Sequence, residues 1–403
     1  MTRLAITGMG FTLAGGVRTA DDFWGRVRAG KSALTPQSAY HDRGVPTVMA
    51  GQLTHDPVVE GLDPAHASKY SREILAALAG IDEALGDAGI GDFDPHRVGV
   101  IASSSRGPLH WWERDFASAS GIGRVLGGLP GAPASIAAIR TGVQGYVSTV
   151  SSACVGGTHA LRSAAAELRS DEADIMIVVG HEFPLTPNLL RVYTDPKSRV
   201  LSLGTTAADS IRPYDVNRDG TALGEGAVAL VLEREADAVA RGAHIYAYVL
   251  ATGVANEAAH PTTMELTGEK TAALAERVIK KSNLSVGDIG YVCGHGTGTR
   301  TNDIAESRAV RRVFGEDTDV PLTSVKPVFG HLFGASALVN IAATASMLDA
   351  QTIAPTANST QADAECGLDS VFGGARDADL RAALSFAFAL GSQSSVVALE
   401  AAR

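Results

Sequence analysis

Three observations predict an α/β protein. Short apolar runs rich in Val and Ile alternate with longer amphipathic stretches, glycine-rich turns follow several of those runs, and no low-complexity linker breaks the alternation. With 403 residues, 45% of them hydrophobic and only 19% charged, the chain has enough apolar surface for two or three average domains or one large duplicated body.

The elements follow in order. Arg3–Gly8 reads as a first strand. Its apolar stretch is too short for a signal peptide and is broken by Gly8 and Gly10. Ser71–Ala88 reads as an amphipathic helix and Arg97–Ala102 as a strand. Arg106–Gly131, with Trp111, Trp112 and many glycines, has weak periodicity. It reads as a surface excursion or cap whose tryptophans are either a packing anchor or a partner or substrate wall. Gly145–Ser151 is extended and β-branched, Thr158–Arg169 repeats Ala and Leu at helical spacing, and Asp174–Val179 is a short buried strand. In the second half, strands are predicted at Ile245–Thr252, Ile289–Cys293, Ala383–Phe388 and Ser394–Leu399, with helices at Glu269–Lys281 and Gly334–Leu348. No run reaches the roughly 18 to 20 apolar residues of a membrane span.

A net charge of −10 without a basic stripe argues against nucleic acid as a partner, because phosphate binding needs clustered Lys and Arg. Three cysteines, Cys154, Cys293 and Cys366, make no disulfide framework and suit a reducing, cytoplasmic compartment.

The chemistry gathers at three small-residue turns. Cys154 lies in Ser151-Ser152-Ala153-Cys154-Val155-Gly156-Gly157, between a strand and a helix. That placement puts the sulfur at a helix N-terminus, where free N–H groups and the dipole favour a thiolate. His295 lies in Cys293-Gly294-His295-Gly296-Thr297-Gly298-Thr299, which does not follow G-x-G-x-x-G and lacks further metal ligands at sensible spacing. Lys326 and His331 share Ser324-Val325-Lys326-Pro327-Val328-Phe329-Gly330-His331. A thiol, two imidazoles and an ammonium are the parts of a cysteine-based acyl-transfer site. Each also has a plainer reading: a small buried cysteine, a loop histidine bonded to backbone, a surface lysine and a core histidine.

These turns occur together with Arg212-Pro213-Tyr214-Asp215, Arg218-Asp219-Gly220 and Gly224-Glu225-Gly226-Ala227. In this order and spacing, nearly end to end, the chain resembles the elongating β-ketoacyl-acyl carrier protein synthases of the thiolase superfamily. The resemblance implies a thiolase-like fold of two similar halves in a five-layered α-β-α-β-α arrangement. The expected division is residues 1–243, with Cys154 and the cap, and 244–403, with His295, Lys326 and His331. It implies that Cys154 accepts an acyl chain from an acyl carrier protein, and that His295 and His331 promote decarboxylation of a malonyl unit, in polyketide or fatty acid biosynthesis. Lys326 would orient the histidines, the backbone N–H groups of Cys154 and Phe388 would form an oxyanion hole, and Thr297, Thr299, Phe386 and Phe388 would contact substrate. No resident cofactor or metal is implied, since the phosphopantetheine arrives on the carrier. The assembly would be a homodimer, or a heterodimer with a related ketosynthase-like chain.

Two departures from the family pattern carry expectations. Phe386-Ala387-Phe388-Ala389-Leu390-Gly391 stands where the family reads Phe-Gly-Phe-Gly-Gly, predicting a stiffer loop, strained at Ala389 and Leu390 if φ is positive. Asn340 stands where the family carries a glutamate, predicting a Lys326 without its ionic partner. They leave open an acyltransferase that makes an ester or amide without decarboxylation, and a non-catalytic partner subunit.

Overall fold

The computed structural model describes residues 2–116, 125–197 and 200–403. Among them, ten strands form the main sheet: β1 (Leu4–Leu13), β2 (Val98–Ser103), β3 (Val147–Val150), β4 (Ile175–Glu182), β5 (Gly226–Arg234), β6 (Ala247–Asn256), β7 (Ile289–Cys293), β8 (Leu322–Thr323), β9 (Ala382–Ala389) and β10 (Gln393–Glu400). Across the ladder they run β8-β7-β9-β10-β6-β1-β5-β4-β2-β3. Both halves repeat one scheme, two parallel pairings followed by two antiparallel ones: β3-β2-β4 then β5 and β1, and β8-β7-β9 then β10 and β6. The halves join where Leu4–Ile6 of β1 pairs antiparallel with Ala247–Val249 of β6.

Helices α1 (Arg72–Asp87), α2 (Gly156–Arg169), α3 (Glu269–Lys281), α4 (Arg300–Phe314) and α5 (Ser336–Ala350) complete the layers. The α1 helix covers the outer face of the first half, α3 that of the second with α4 packed on it, and α2 and α5 lie between the halves. The result is helix, sheet, helix, sheet, helix, as the thiolase-like resemblance implied. Strand β2 is buried along its whole length, as expected of a parallel strand covered on both faces. Gly8 and Gly10 let α1 lie flush on β1: a Cβ there would stand 2.2 Å from Ala84 O and 2.1 Å from Gly80 O.

The α5 segment corrects one expectation. Phe333–Ala350 reaches the length and mean hydropathy (1.2) of a membrane span, yet 89% of it is buried inside the protein. A helix apolar on all sides is what a position between two sheets requires.

The predicted elements are all present with shifted ends; Glu269–Lys281 and Ile289–Cys293 keep their bounds, whereas the first strand runs on to Leu13. Strand β5 and helix α4 were not anticipated. Of the Arg106–Gly131 excursion, residues 117–124 lie outside the described residues. Trp111 is a packing anchor, buried against Gly127 and Gly128, and its neighbour Trp112 is 51% exposed.

Candidate active site

Strand β3 delivers the chain to a tight elbow before α2. Ala153, immediately before the cysteine, takes a positive φ of 47°, a strained conformation for an alanine that turns the next side chain out of the strand line. Cys154 is 6% exposed among Val155, Leu185, Leu223, Phe333 and Ala387. In the resting site burial works against the expected thiolate. Helix α2 begins at Gly156, two residues beyond the sulfur. Burial pushes the Cys154 thiol up to about 12, and the nearby charges of Lys326 and Arg106 offset this only in part.

The two imidazoles face each other across the cleft, ring centroids 5.2 Å apart and nearly perpendicular at 84°. Each is held from behind through Nδ1. Lys326 Nζ lies 3.1 Å from His295 Nδ1 and also donates to the His295 carbonyl. His331 Nδ1 accepts the Phe333 backbone N–H at 3.3 Å and lies 2.7 Å from Ser336 Oγ. A ring nitrogen that accepts cannot carry the proton, so each neutral ring bears its proton on Nε2. Burial, reinforced by the Lys326 charge, holds both rings well below the usual histidine range. Both are therefore neutral Nε2–H donors at pH 7. The backbone of His331 is fixed by the Gly224 motif: its N–H donates to Ala222 O at 2.7 Å and its carbonyl accepts Gly224 N–H at 3.1 Å.

Lys326 is 3% exposed, and burial lowers its pKa from 10.5 to about 8. No carboxylate lies within 4.0 Å of it among the described residues. The carboxylate whose field most supports its charge is Glu306, on α4. Asn340 does not serve Lys326 at all. Its Nδ2 donates to Gly294 O and Phe386 O, each at 3.0 Å, tying the His295 turn to β9. An ionised glutamate has no hydrogen to offer those carbonyls, so the amide fits where the family's carboxylate would not.

Three supporting carboxylates, Glu306, Asp303 and Asp363, were not singled out from the sequence. Glu306 accepts the backbone N–H of His295 and of Gly296, plus the Tyr214 hydroxyl. Asp303 accepts the N–H of Tyr214 and of Thr297, at 3.0 and 3.1 Å. Arg218 lies 3.6 Å from Asp303 and pairs with Asp363 at 2.5 Å. Thr297 and Thr299 share a 2.8 Å hydrogen bond.

Cys154, His295, His331, Thr297, Thr299 and Phe388 line one cleft of about 810 Å³; Lys326 stands behind it. Phe386 does not reach it. It is 0% exposed, packed under β9 with its ring 6.1 Å from that of Phe388. The expected strain after Phe388 is also absent. Ala389 ends β9 and Leu390 keeps a negative φ, while the turn's positive φ values fall on Gly391 (85°) and Ser392 (57°).

A buried thiol beside two N–H donors, at the junction of two duplicated half-sheets, suits a protein that holds an acyl group on sulfur while charge develops next to it. Solved structures of this class superpose on it. A β-ketoacyl synthase from Burkholderia phymatum STM815 matches at a TM-score of 0.88, with 28% identity and 100% of both chains covered. A type II PKS acyl-carrier protein in complex with its ketosynthase bound to the hexaketide matches at 0.86, with 26% identity and 99% of both chains covered. The β-ketoacyl synthase N-terminal domain model matches residues 1–238 and the C-terminal domain model residues 246–360. The tetracenomycin polyketide synthase ketoacyl synthase alpha subunit of Streptomyces glaucescens is 32% identical, covering 98% of this chain and 96% of its own. The chain belongs to the β-ketoacyl synthase family.

Proposed function

We propose that the protein is a decarboxylating condensing enzyme acting on carrier-bound acyl chains in polyketide or fatty acid biosynthesis. The observation that carries this reading is the pair of neutral imidazoles, each engaged at Nδ1 and so presenting Nε2–H to the cleft that holds Cys154. In the first step the Cys154 sulfur attacks the carrier thioester. An acyl–sulfur bond forms at Cys154, the carrier thiol leaves, and the Cys154 proton passes to it. The backbone N–H groups of Cys154 and Phe388 receive the transient oxyanion. In the second step malonyl-carrier loses CO2, and the electron pair of the broken bond is held as an enolate. Two N–H donors aimed at the enolate oxygen stabilise it without themselves changing charge. The enolate carbon attacks acyl-Cys154, the new carbon–carbon bond replaces the carbon–sulfur bond, and the released thiolate takes a proton from solvent, the one proton the overall reaction consumes. Lys326 keeps His295 in the donor tautomer, and Thr297 and Thr299 hold the phosphopantetheine arm.

An acyl carrier protein is the substrate partner, as in the 26% identical complex. The edge strand β3 is open in the monomer, with Tyr146 43% and Val147 37% exposed. An unpaired edge of this kind supports a dimer through β3, with a second copy or a related ketosynthase-like chain.

Intact mass of the protein with a panel of acyl carrier proteins, followed by malonyl-carrier, tests the reading. The expected result is an acyl adduct lost in Cys154→Ala, then CO2 and a β-ketoacyl-carrier. His295→Ala and His331→Ala should still acylate without releasing CO2. Acylation with no CO2 from any extender would reject the reading, a product mass without malonyl-derived carbons would mark the ester- or amide-forming alternative, and no adduct at all a non-catalytic partner.

A further inference from the structure

Arg106, just beyond β2, puts a cation into the Cys154 side of the cleft, and none of the steps above uses it. Its guanidinium carbon lies 4.1 Å from the Phe333 ring centroid, and one nitrogen donates to the Tyr193 hydroxyl at 2.8 Å. The other terminal nitrogen, Nη1, is buried and has no hydrogen-bond partner among the described residues. No carboxylate lies within 4.0 Å of the guanidinium among the described residues. The acidic neighbour Glu182 feels the Arg106 charge but lies beyond ion-pair distance; its Oε2 accepts the N–H of Ser105 at 2.7 Å and of Gly334 at 3.0 Å, while its Oε1 is buried without a partner among the described residues. A buried donor on a cation left unpaired is costly, and an arginine stacked on one aromatic and bonded to another is held in one orientation. Tyr193 and Phe333 both pack around Cys154 and line the same cleft as Arg106, so the guanidinium stands beside the space an acyl chain on that sulfur would enter.

We propose that Arg106 is a specificity-determining residue, and that the acyl group taken up by Cys154 carries a carboxylate. That acyl group is the monothioester of a dicarboxylic acid, not a plain alkyl chain. The carboxylate would accept from Nη1, and from the Tyr193 hydroxyl if that turns from Arg106 toward it. A charge-assisted bond to an otherwise unpaired guanidinium rewards an anion far more than a methyl terminus, which would leave Nη1 unsatisfied. The proposal rests on the acyl-cysteine reading above, and its test has an arm that does not need acylation.

The first arm follows acylation of Cys154 by intact mass, using phosphopantetheine thioesters of six to ten carbons in three matched forms: methyl-terminated, carboxyl-terminated, and the methyl ester of the latter. Wild type should load the carboxyl-terminated form at least tenfold faster than the other two. Arg106→Met should remove or reverse that preference, and Arg106→Lys should keep part of it. Equal loading of acid and methyl ester would overturn the proposal in favour of a neutral oxygen acceptor. Faster loading of the methyl-terminated form, or an equal loss on all three in Arg106→Met, would overturn it outright. The second arm measures binding of the same thioesters to Cys154→Ala by calorimetry, with and without Arg106→Met. A carboxylate preference there, lost with Arg106, upholds the recognition role even if no acyl-enzyme forms. No preference there sinks it even if acylation occurs.

Discussion

Asn340→Leu is the most informative single change. Asn340 is 1% exposed and supplies hydrogen bonds to two main-chain carbonyls, Gly294 O and Phe386 O. Leucine keeps the branched outline of the amide with bulkier methyl groups and no donor, so it opens no cavity but leaves both carbonyls facing hydrocarbon. Each orphaned buried group costs about 1–3 kcal/mol, and carbonyls with a second lone pair fall at the low end, so the total is ~2–4 kcal/mol. Gly294 precedes His295, and Phe386 lies two residues before Phe388. The variant should therefore lose CO2 release more than acylation of Cys154. Urea titration gives the stability change, and single-turnover mass spectrometry separates the two steps. Asn340→Glu should be worse at pH 8 than at pH 5, because only the protonated acid can donate to either carbonyl. Here a folded-state pKa above the unfolded value means stability present at low pH and lost as pH rises. A leucine variant within ~0.5 kcal/mol of wild type would refute the reasoning, because surface-like changes fall in that range.

Three further outcomes follow from the buried ionisable groups. Burial pushes the Glu73 carboxyl from 4.5 up to about 7, and the Ser71 hydroxyl, occupied as a helix cap to Ile74, offsets this only in part. The folded state keeps a proton that the unfolded chain releases, so stability falls as pH rises from 4.5 to about 7, by ~3 kcal/mol for this group; Glu73→Gln should flatten that share of a pH series of urea titrations. The charged form of Lys326, which keeps His295 Nδ1 as an acceptor, is lost as pH rises through about 8, so CO2 release should decline there. Lys326→Met should be slow at every pH and lack this limb, and a flat wild-type profile across about pH 7 to 9 would count against the role. With its thiol pushed up to about 12, Cys154 should alkylate slowly with iodoacetamide at neutral pH. Its rate should keep climbing to about pH 10, and a plateau near pH 7 would restore the resting thiolate.

The chemistry-bearing residues are legible in the sequence because each sits where a regular element stops. Cys154, His295 and His331 follow strand or turn signals among glycines, and such places are visible as breaks in periodicity. The strands β2, β4 and β7 are equally plain, being short β-branched runs buried on both faces. The geometry behind the site is much less so. Lys326 was expected to lack its ionic partner, and its contacts are instead the ring nitrogen and carbonyl of His295, which no spacing rule pairs with position 326. The strain expected at Ala389 depended on which residue of the turn takes positive φ. The register of β9 against β10, Ala389 opposite Gln393, moves that demand onto Gly391 and Ser392.

Helix α4 shows why the remainder was hidden, and what signal would have exposed it. Its first turns bury Asn302, Asp303, Glu306 and Ser307, so the face turned to the protein is polar and an apolar period of 3.6 never appears there. Burying two carboxylates is tolerated because each meets several donors: Glu306 takes two backbone N–H groups and a tyrosine hydroxyl, and Asp303 takes N–H groups from Tyr214 and Thr297. These donors belong to the His295 turn and the Tyr214 motif, so the inward face of α4 shapes the loop that presents His295, Thr297 and Thr299. Asp303 and Glu306 are three apart and therefore share a helix face. Acidic residues so spaced, directly after a Gly-rich turn and before the Val310 and Val313 anchors, mark a helix whose buried side organises backbone N–H groups. That pattern points to the turn beside it as the working part of the molecule.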